Sequence, residues 1–481
     1  MKRAVSVLLS AALMLSVLTG CGKSGSVSKK NIPAEETAES KKIALSDSGI
    51  TVDGAAISDD ETAAVYAAQD IVYYEEGQGV AYGAGTDADA HSQEEADAHT
   101  VVYITQPGTY TLSGTLSAGQ IAVDLGDGAE EDPEAVVTIV LDGVDITCTV
   151  APAIIFYRVY ECGSADMETA TQTVDTSAAG ANVVIADGTE NRVTGSHVAK
   201  IYKPESVTLN ADGTAVEEAK KLHKYDGALY SKMSMNVSGG EAGTGTLEIV
   251  ADNEGLDSEL HLTINSGNIH ILAGNDGINT NEDGVSVTTI NGGTLRIEVT
   301  GETGEGDGID SNGWLVINGG TVIAAACSDS ADSGLDSDNG IYINGGIVIA
   351  SGNMYDAVDG GDQTYAVFQF AQKQSGGQTY TLKNAAGETV LEMTPENAFQ
   401  YLVVSAPGLA EGEYTLWCGD TQLGASTGSV GGPSGGMGRP DGQPPEGAPG
   451  QKPEGADDGQ QPPEPPADGQ RPEGGPSGAI D

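Results

Sequence analysis

The sequence predicts an all-β protein, a parallel β-solenoid followed by a smaller unit that is either a small β-sandwich or a cap on the last coil. The chain of 481 residues has 68 glycines and only 5% aromatic residues, which favours many short strands joined by turns. A repeat of 22 to 31 residues runs through its middle. Within each repeat, apolar and polar residues alternate in short runs, the pattern of strands with one buried face.

The amino terminus has the form of a secretory signal. Lys2 and Arg3 precede an apolar run, residues 4–17, that is too short to span a bilayer. The following Leu-Thr-Gly-Cys stretch, which ends at Cys21, resembles a bacterial lipobox. The resemblance implies cleavage before Cys21, lipid attachment to its sulfur, and an extracytoplasmic protein anchored to the membrane and exposed at the cell surface. The alternative is an ordinary signal peptide with a chance cysteine.

Composition divides the rest of the chain. We expect a signal peptide over residues 1–20, a flexible polar linker over 21–43, the solenoid over 44–361, a C-terminal β unit over 362–426, and a disordered tail over 427–481. The tail is dominated by glycine and proline and cannot bury enough apolar surface to fold. The best short helix candidate is the segment 215–225, with the sequence AVEEAKKLHKY.

Charge and cysteine content limit the partners. The formal net charge of −50 excludes nucleic acid and anionic membrane surfaces as partners and suits the recruitment of cations. No Cys-x-x-Cys pair is present, which argues against zinc. Cys148 and Cys162 could form a disulfide outside the cell or could be buried thiols, and the sequence leaves both open.

The repeat is anchored on a small residue in each Asp-rich turn: Ala228, Gly255, Gly277, Gly308, Gly334 and Ala357. An aliphatic residue follows each anchor. A second aliphatic residue stands nine residues after each of the first five anchors except the third. In the third copy it stands thirteen residues after, because we expect residues 282–285 to form a loop insertion. These second residues are Val237, Ile264, Ile290, Ile317 and Ile343. Stacked coils would align these residues into ladders about 4.8 Å apart and would stack the turns beside them.

The stacked turns are candidates for cation binding. A column of like charges is destabilising unless cations lie between them, and calcium takes six to eight oxygen ligands. The candidate ligands are Asp257, Asn275, Asp276, Asn279, Asp307, Asp310, Asn312, Asp332, Asp336, Asp338, Asp356 and Asp359. The alternative is that these residues only make the turns. The stacked Asn265, Asn291, Asn318 and Asn344 instead indicate a structural amide ladder.

Polysaccharide binding requires fewer specialised side chains than polysaccharide cleavage. The coils contain few of the basic residues that a lyase requires. Between Met233 and Gly361 there is no lysine and one arginine, Arg296, which we expect to pair with Glu298. For His261 and His270 we expect exposed structural roles. No pair of carboxylates is singled out for hydrolysis. Three aromatic residues are candidates for stacking on sugar rings, or alternatively for packing: Trp314, Tyr342 and Tyr355.

The order of the motifs resembles a family of bacterial carbohydrate-binding domains found in secreted lipoproteins. The resemblance covers residues 100 to 420 and rests on ITQPGTYTLSGTL, VTIVLDGVDIT, VVIADGTENRVTG and DGALYSK, followed by Asp-Gly-Ile/Leu-Asp coils with Ile-Asn-Gly-Gly turns. It implies a right-handed parallel β-helix like that of pectate lyases, bound calcium, and affinity for acidic or cellulosic polysaccharides. The stretch 157–181 departs from the pattern and is expected to form a lateral loop.

Three functional hypotheses follow. The first is a lipid-anchored, monomeric protein that binds polysaccharide with calcium and does not cleave it. The second is a polysaccharide lyase or hydrolase on the same fold, and the third is a structural surface adhesin or spacer.

Overall fold

A computed structural model describes residues 40–431. The expected signal peptide, the lipid site at Cys21, most of the linker and most of the tail lie outside the described residues. Within residues 40–431 the protein is all-β, and the α-helix there is the short Gln93–Asp97, capped by the Ser92 side chain. Two 3-10 turns span Ala129–Glu131 and Pro204–Ser206. No helix in this part of the chain is long and apolar enough to cross a bilayer.

Three ladders of parallel strands make up most of the structure. Ladder 1 precedes the Asn-Gly-Gly turns and contains Lys41–Leu45, Gly108–Leu116, Val137–Thr147, Ala181–Ile185, Met235–Gly239, His261–Ile264, Val287–Ile290, Trp314–Ile317, Gly340–Ile343 and Val358–Gly360. Ladder 2 follows those turns, begins in the second halves of the two long strands of ladder 1, and continues through Glu190–Gly195, Thr246–Ala251, Asn268–Ala273, Thr294–Val299, Thr321–Ala325 and Ile347–Gly352.

Ladder 3 lies beside the Asp-rich turns. Its parallel strands are Thr100–Ile104, Gly119–Asp124, Ile154–Arg158, Gly227–Ser231, Glu254–Ser258 and Ile278–Thr280, and Val65–Ala68 joins its first edge in antiparallel fashion. A single parallel bridge from Ile278 to Ile309 carries the same register into the next coil.

The register of the ladders agrees with the repeat in the sequence. In ladder 1, Val237, Ile264, Ile290, Ile317 and Ile343 stand directly above one another and are buried. In ladder 2, Ile269, Leu295, Val322 and Val348 do the same. These columns belong to one continuous apolar core. The predicted alignment of the aliphatic positions is therefore confirmed.

The anchor glycines are required by close packing across this narrow core. A Cβ atom on Gly277 would lie 2.1 Å from Cγ2 of Ile297, and one on Gly255 would lie 2.2 Å from Cγ2 of Ile271. Both distances are shorter than any normal carbon contact. These two Asp-rich turns can approach the opposite ladder only because their anchors have no side chain.

The segment 215–225 is not a helix, so that prediction is wrong. It contains Val216–Glu218 and Lys221–Tyr225, which pair with Thr208–Leu209 and Val198–Tyr202 respectively. The aromatic ring of Tyr225 packs against Tyr157 and Tyr230, with ring centroids 5.6 and 5.2 Å apart. Cross-strand pairing and aromatic burial outweigh the local helix propensity.

The remaining strands close the two ends of the chain. Thr51–Val52 and Ala55–Ala56 form a hairpin against Lys41–Leu45, whose first three residues lie in the stretch expected to be linker. After Gly361 the pairing becomes antiparallel. Phe399–Ser405 pairs with the last strand of ladder 2 and with Tyr365–Gln374, and a four-stranded sheet contains Tyr380–Asn384, Thr389–Met393, Gly412–Cys418 and Thr421–Gly428. This end of the chain has a second apolar core.

Candidate functional site

The outer face of ladder 3 carries a column of polar side chains. Tyr230, Asp257 and Asn279 occupy equivalent positions on three successive strands. Glu254 begins the middle strand, and Asp226 immediately precedes the first one. The stacking of coils therefore brings together side chains that are more than twenty residues apart in the sequence.

Three carboxylates of this column form a buried cluster. One oxygen each of Asp226, Glu254 and Asp257 lies within 4.8 Å of the other two. Their residues are exposed by only 6%, 5% and 0% respectively. Buried like charges at such separations are strongly destabilising unless a cation or protons compensate them.

One ammonium group compensates part of this charge. Nζ of Lys224, from the strand Lys221–Tyr225, lies 2.6 Å from Oδ2 of Asp226. Burial alone would lower the pKa of Lys224, but the surrounding carboxylates outweigh it and raise that pKa above its ordinary value. Three carboxylates against one ammonium leave a formal charge of −2 when all are ionised.

The carboxyl groups respond to this excess charge. Burial, followed by repulsion from Asp257 and Asp226, raises the pKa of Glu254 well above its usual range. Burial and then Asp226 do the same to the pKa of Asp257. In the absence of a cation, the folded protein therefore holds protons at this cluster more readily than the unfolded chain does.

Several oxygens in the cluster have no hydrogen-bond partner. Nδ2 of Asn279 donates to Oε1 of Glu254 at 3.0 Å, and Nδ2 of Asn281 donates to Oδ1 of Asp257 at 2.7 Å. The second carboxylate oxygen of Glu254, that of Asp257, and Oδ1 of Asn279 are buried and unbonded. Unpaired buried oxygens are rare because they lose their hydration without replacement. Carboxylate and amide oxygens together with a charge of −2 fit a hard divalent cation such as calcium.

Other predicted ligands are engaged with the backbone of neighbouring coils. Oδ1 of Asp276 accepts the N–H of Asp307 at 2.7 Å, and Oδ1 of Asp307 accepts the N–H of Ser333 at 2.6 Å. Oxygens of Asp332, Asp356 and Asp359 likewise accept backbone N–H groups, from Gly306, Ser337 and Ile341 respectively. These residues hold turns together across coils, as the turn-forming alternative expects.

The carboxylates of these turns still repel one another, and Asp307 shows this most clearly. Burial, followed by Asp276, Asp336 and Asp310, raises the pKa of Asp307 well above its usual range. At the outer edge of the same face, Nδ2 of Asn312 donates to the carbonyl oxygen of Asn281 and to Oδ1 of Asp283. Asn275 is half-buried in the turn before Asp276, and Asp338 lies in the turn after Asp336.

The cluster thus contains two predicted residues, Asp257 and Asn279, and three that sequence reasoning missed: Asp226, Glu254 and Lys224. The repeat itself holds a signal for two of them. Glu254 directly precedes its anchor, the position that Asp276 and Asp307 occupy in later coils. Asp226 stands two residues before its anchor, as Asn275 and Asp332 do. No pattern in the sequence places Lys224 there, because it comes from a hairpin outside the repeat.

The three aromatic candidates are not part of the cluster. Tyr342 and Trp314 stand on the outer face of ladder 1, both partly exposed. Tyr355 stacks on Tyr401 with ring centroids 6.2 Å apart, and its hydroxyl oxygen accepts the N–H of Val358. Tyr342 also lines a groove on that face.

Two expectations about the basic residues are wrong. Arg296 pairs with Glu396 of the C-terminal strands rather than with Glu298, because a long-range contact covers this part of ladder 2. His261 is buried rather than exposed, and its Nδ1 accepts the N–H of Val287 at 3.2 Å. Burial lowers the pKa of His261 to about 4, so the ring is neutral at pH 7. His270 is partly exposed, and its Nδ1 lies 3.9 Å from Oε1 of Glu248.

Of the two alternatives left open for Cys148 and Cys162, the structure has the thiols and not the disulfide. The structure has free thiols at Cys148, Cys162, Cys327 and Cys418, and the thiol of Cys148 is buried. Burial raises the pKa of Cys148 to about 12, which makes this thiol unreactive at neutral pH.

Comparison with known proteins places these features in a family. The sequence model of the family described as carbohydrate-binding domain-containing protein matches residues 98–366. A protein of the same description from Acetivibrio thermocellus is 31% identical over 173 residues, which are 36% of this chain and 45% of that protein. The alignment therefore spans less than half of that relative.

A solved structure also aligns with this fold. It is described as the polysaccharide lyase-like protein from C. thermocellum, gadolinium derivative, and the alignment covers 64% of this chain and 92% of that one. The sequence identity is 22% and the TM-score is 0.35. A likeness at this level supports no conclusion about activity.

Proposed function

Because this chain belongs to the family of carbohydrate-binding domain-containing proteins, we propose that it binds polysaccharide at the bacterial cell surface, holds calcium, and does not cleave the glycan. The ligand would be either an acidic or a cellulosic polysaccharide. Lipid attachment at Cys21 would anchor the chain outside the cytoplasm, and we infer a monomer.

For the architecture we infer that the three ladders wind as one right-handed parallel β-helix over residues 44–361. Residues 362–426 would then be a β unit that caps the last coil. Antiparallel pairing of Phe399–Ser405 on the last strand of ladder 2 supports this division, because an uncovered edge strand would invite aggregation.

The observation that carries the calcium proposal is the set of unbonded buried oxygens on Glu254, Asp257 and Asn279. Together with Asp226 they would hold the ion, and calcium supplies the positive charge that the cluster lacks. The main role of the other predicted acidic residues would be to form turns, and binding further cations would be an additional role. Our proposal of a structural ion rests on the burial of this cluster, since a long glycan chain does not reach residues exposed by 6% or less.

The same burial argues against catalysis at the cluster. A glycosidic bond has to lie between the two carboxylates of a hydrolase, whereas Asp257 is fully buried. A lyase needs a base that is unprotonated at working pH, whereas the neighbouring carboxylates raise the pKa of Lys224 and keep its ammonium protonated. Arg192 and Arg296 are already paired with Glu248 and Glu396.

The test is retention of the purified protein on cellulose and on immobilised polygalacturonate, each with calcium and with a chelator. We expect retention on at least one polysaccharide and bound calcium by elemental analysis. Failure to bind any member of a broad polysaccharide panel would refute the binding proposal. Release of unsaturated uronates or of new reducing ends would show an enzyme instead.

The calcium part has its own test. We expect a chelator to lower the melting temperature of the protein, and calcium to restore it. A melting curve that is the same with calcium and with chelator, in a protein that contains no metal, would remove the calcium proposal and leave polysaccharide binding untouched.

A further inference from the structure

A row of asparagine side chains runs along one edge of ladder 1. Nδ2 of Asn291 donates to Oδ1 of Asn265 at 3.0 Å, Asn318 donates to Asn291 at 2.9 Å, and Asn344 donates to Asn318 at 2.8 Å. The predicted amide ladder is therefore confirmed. All four residues are nevertheless exposed.

Exposure leaves half of this ladder available. An amide has two N–H donors and an oxygen with two lone pairs. Each inner rung uses one N–H and one lone pair within the ladder. The second N–H and the second lone pair are free to meet another molecule, and they recur at the spacing of parallel strands, about 4.8 Å.

The ladder forms one side of a groove of about 310 Å³. The floor is the outer face of ladder 1, where Thr289, Val316 and Tyr342 occupy equivalent positions on successive strands. The opposite side is the segment 172–177, which belongs to the stretch that departs from the repeat. Successive rungs lie along the groove, so it follows the direction in which the coils stack.

The wall at 172–177 is held firmly in place. Thr176 is 5% exposed, and its hydroxyl lies 2.8 Å from Oδ1 of Asn236 and 2.7 Å from the hydroxyl of Thr263. Nδ2 of Asn236 in turn donates to the carbonyl oxygen of Thr176 at 2.8 Å. The groove is therefore preformed, and a ligand would not have to order the loop on binding.

The chemistry of the groove favours a neutral sugar chain. Among the described residues that line it, Asp175 alone is charged, and no basic side chain is present. A uronate carboxylate would find no cation there and would be repelled by Asp175. Amides and threonine hydroxyls offer donors and acceptors to sugar hydroxyls, and Tyr342 offers an aromatic face to a ring.

The contrast with the larger groove on ladder 2 sharpens this choice. That groove, of about 640 Å³, is lined by Arg192, Glu248, His270 and Arg296. Arg192 pairs with Glu248, and Arg296 pairs with Glu396. Asp145 and Glu190 add two further carboxylates to the lining. Thr246, Asn268 and Thr294 form an uncharged row along this groove. Acidic and basic side chains lie beside that row, so the groove provides a comparison surface of different charge.

We propose that the groove beside the asparagine ladder, here called the amide groove, binds a neutral, unbranched polysaccharide whose chain lies along the ladder. Each rung would meet about one sugar unit, and Tyr342 would stack on a ring near one end. This inference rests on the proposed polysaccharide binding and specifies its site and its substrate class. Because the amide groove contains no cation ligands of the acidic cluster, binding there is independent of calcium.

The test uses affinity electrophoresis of the full chain through gels containing hydroxyethylcellulose, a soluble neutral β-1,4-glucan, with a chelator present. Two variants address the amide groove: Tyr342→Ala removes the aromatic face, and Ser177→Trp fills the space from an exposed position of the wall. Arg192→Ala is the control on the other groove. We expect wild type and the control to be retarded equally, and each groove variant to bind about tenfold more weakly, at an unchanged melting temperature.

The outcomes separate the two proposals. Groove variants that bind like wild type, or a control that alone loses binding, would overturn the amide groove and leave polysaccharide binding in place. Retention on polygalacturonate with none on neutral glucans would also overturn the amide groove. A wild-type protein that binds no polysaccharide would overturn both. If Tyr342→Ala does not fold, Ser177→Trp still decides the question.

Discussion

Asp257→Asn is expected to change the stability of the protein in opposite directions with and without calcium. The side chain of Asp257 is fully buried, and one of its oxygens is within 4.8 Å of oxygens of Asp226 and Glu254. Two unit charges at 4.8 Å repel each other by about 3.5 kcal/mol at an effective permittivity near 20. Asparagine keeps the shape and removes the charge.

In chelator, the variant should therefore be the more stable protein. Part of the repulsion is already relieved in wild type by bound protons, and the attraction of Asp257 to Lys224 is lost in the variant. After these offsets we expect a gain of about 1–3 kcal/mol in the free energy of unfolding. In calcium at a thousand times its dissociation constant, wild type gains about 4.1 kcal/mol, and the variant, which lacks one ligand charge, gains much less.

The assay is thermal unfolding of both proteins in calcium and in chelator. A change of 1 kcal/mol corresponds to a shift of about 2–4 °C in a large domain, so the two melting curves should exchange order between the conditions. Asp212→Asn is the control, because it removes an exposed carboxylate outside the cluster. If Asp257→Asn is less stable than wild type by the same amount in both conditions, the carboxylate has a structural role without an ion, and the reasoning is refuted.

Three further predictions concern packing and pH. Gly277→Ala should lower the free energy of unfolding, measured in urea, by about 1–3 kcal/mol through overpacking, since its Cβ would lie 2.1 Å from a buried isoleucine carbon. The control Gly79→Ala should have little effect, because nothing lies within 4 Å of its Cβ. Equal effects would contradict the packing argument. Burial and the neighbouring Asp336 raise the pKa of Asp356 to about 6 from 3.8, so the folded state binds more protons between these values and stability without calcium should fall as the pH rises from 4 to 6. That fall should be smaller in Asp356→Asn, and an identical pH profile would exclude this group. Burial alone would lower the pKa of His197, but two carboxylates within 3.2 Å raise it to about 9 from 6.5. The stabilisation that His197 provides is therefore fully present below pH 6.5 and lost as the pH rises through 9, and His197→Gln should show a flatter stability profile over that range; a parallel profile would refute the ion-pair interpretation.

The alignment of the coils follows from the amino-acid sequence alone. The aliphatic residues Ile264, Ile290, Ile317 and Ile343 recur at fixed distances from a glycine or alanine anchor, and a shift of one residue would turn every one of them toward solvent. The asparagine that follows each of them is fixed by the same register. For this reason the core columns and the amide ladder were predictable without coordinates.

Long-range packing determines which acidic residues form a cluster and which only hold turns. Glu254 and Asp307 occupy the same position of the repeat, yet Asp307 accepts a backbone N–H from the next coil, whereas Glu254 keeps a buried, unbonded oxygen. The difference depends on the hairpin that supplies Lys224 and on the coil that supplies Asp226. Burial and charge compensation arise from segments distant in the chain, and a local repeat carries no information about what covers it.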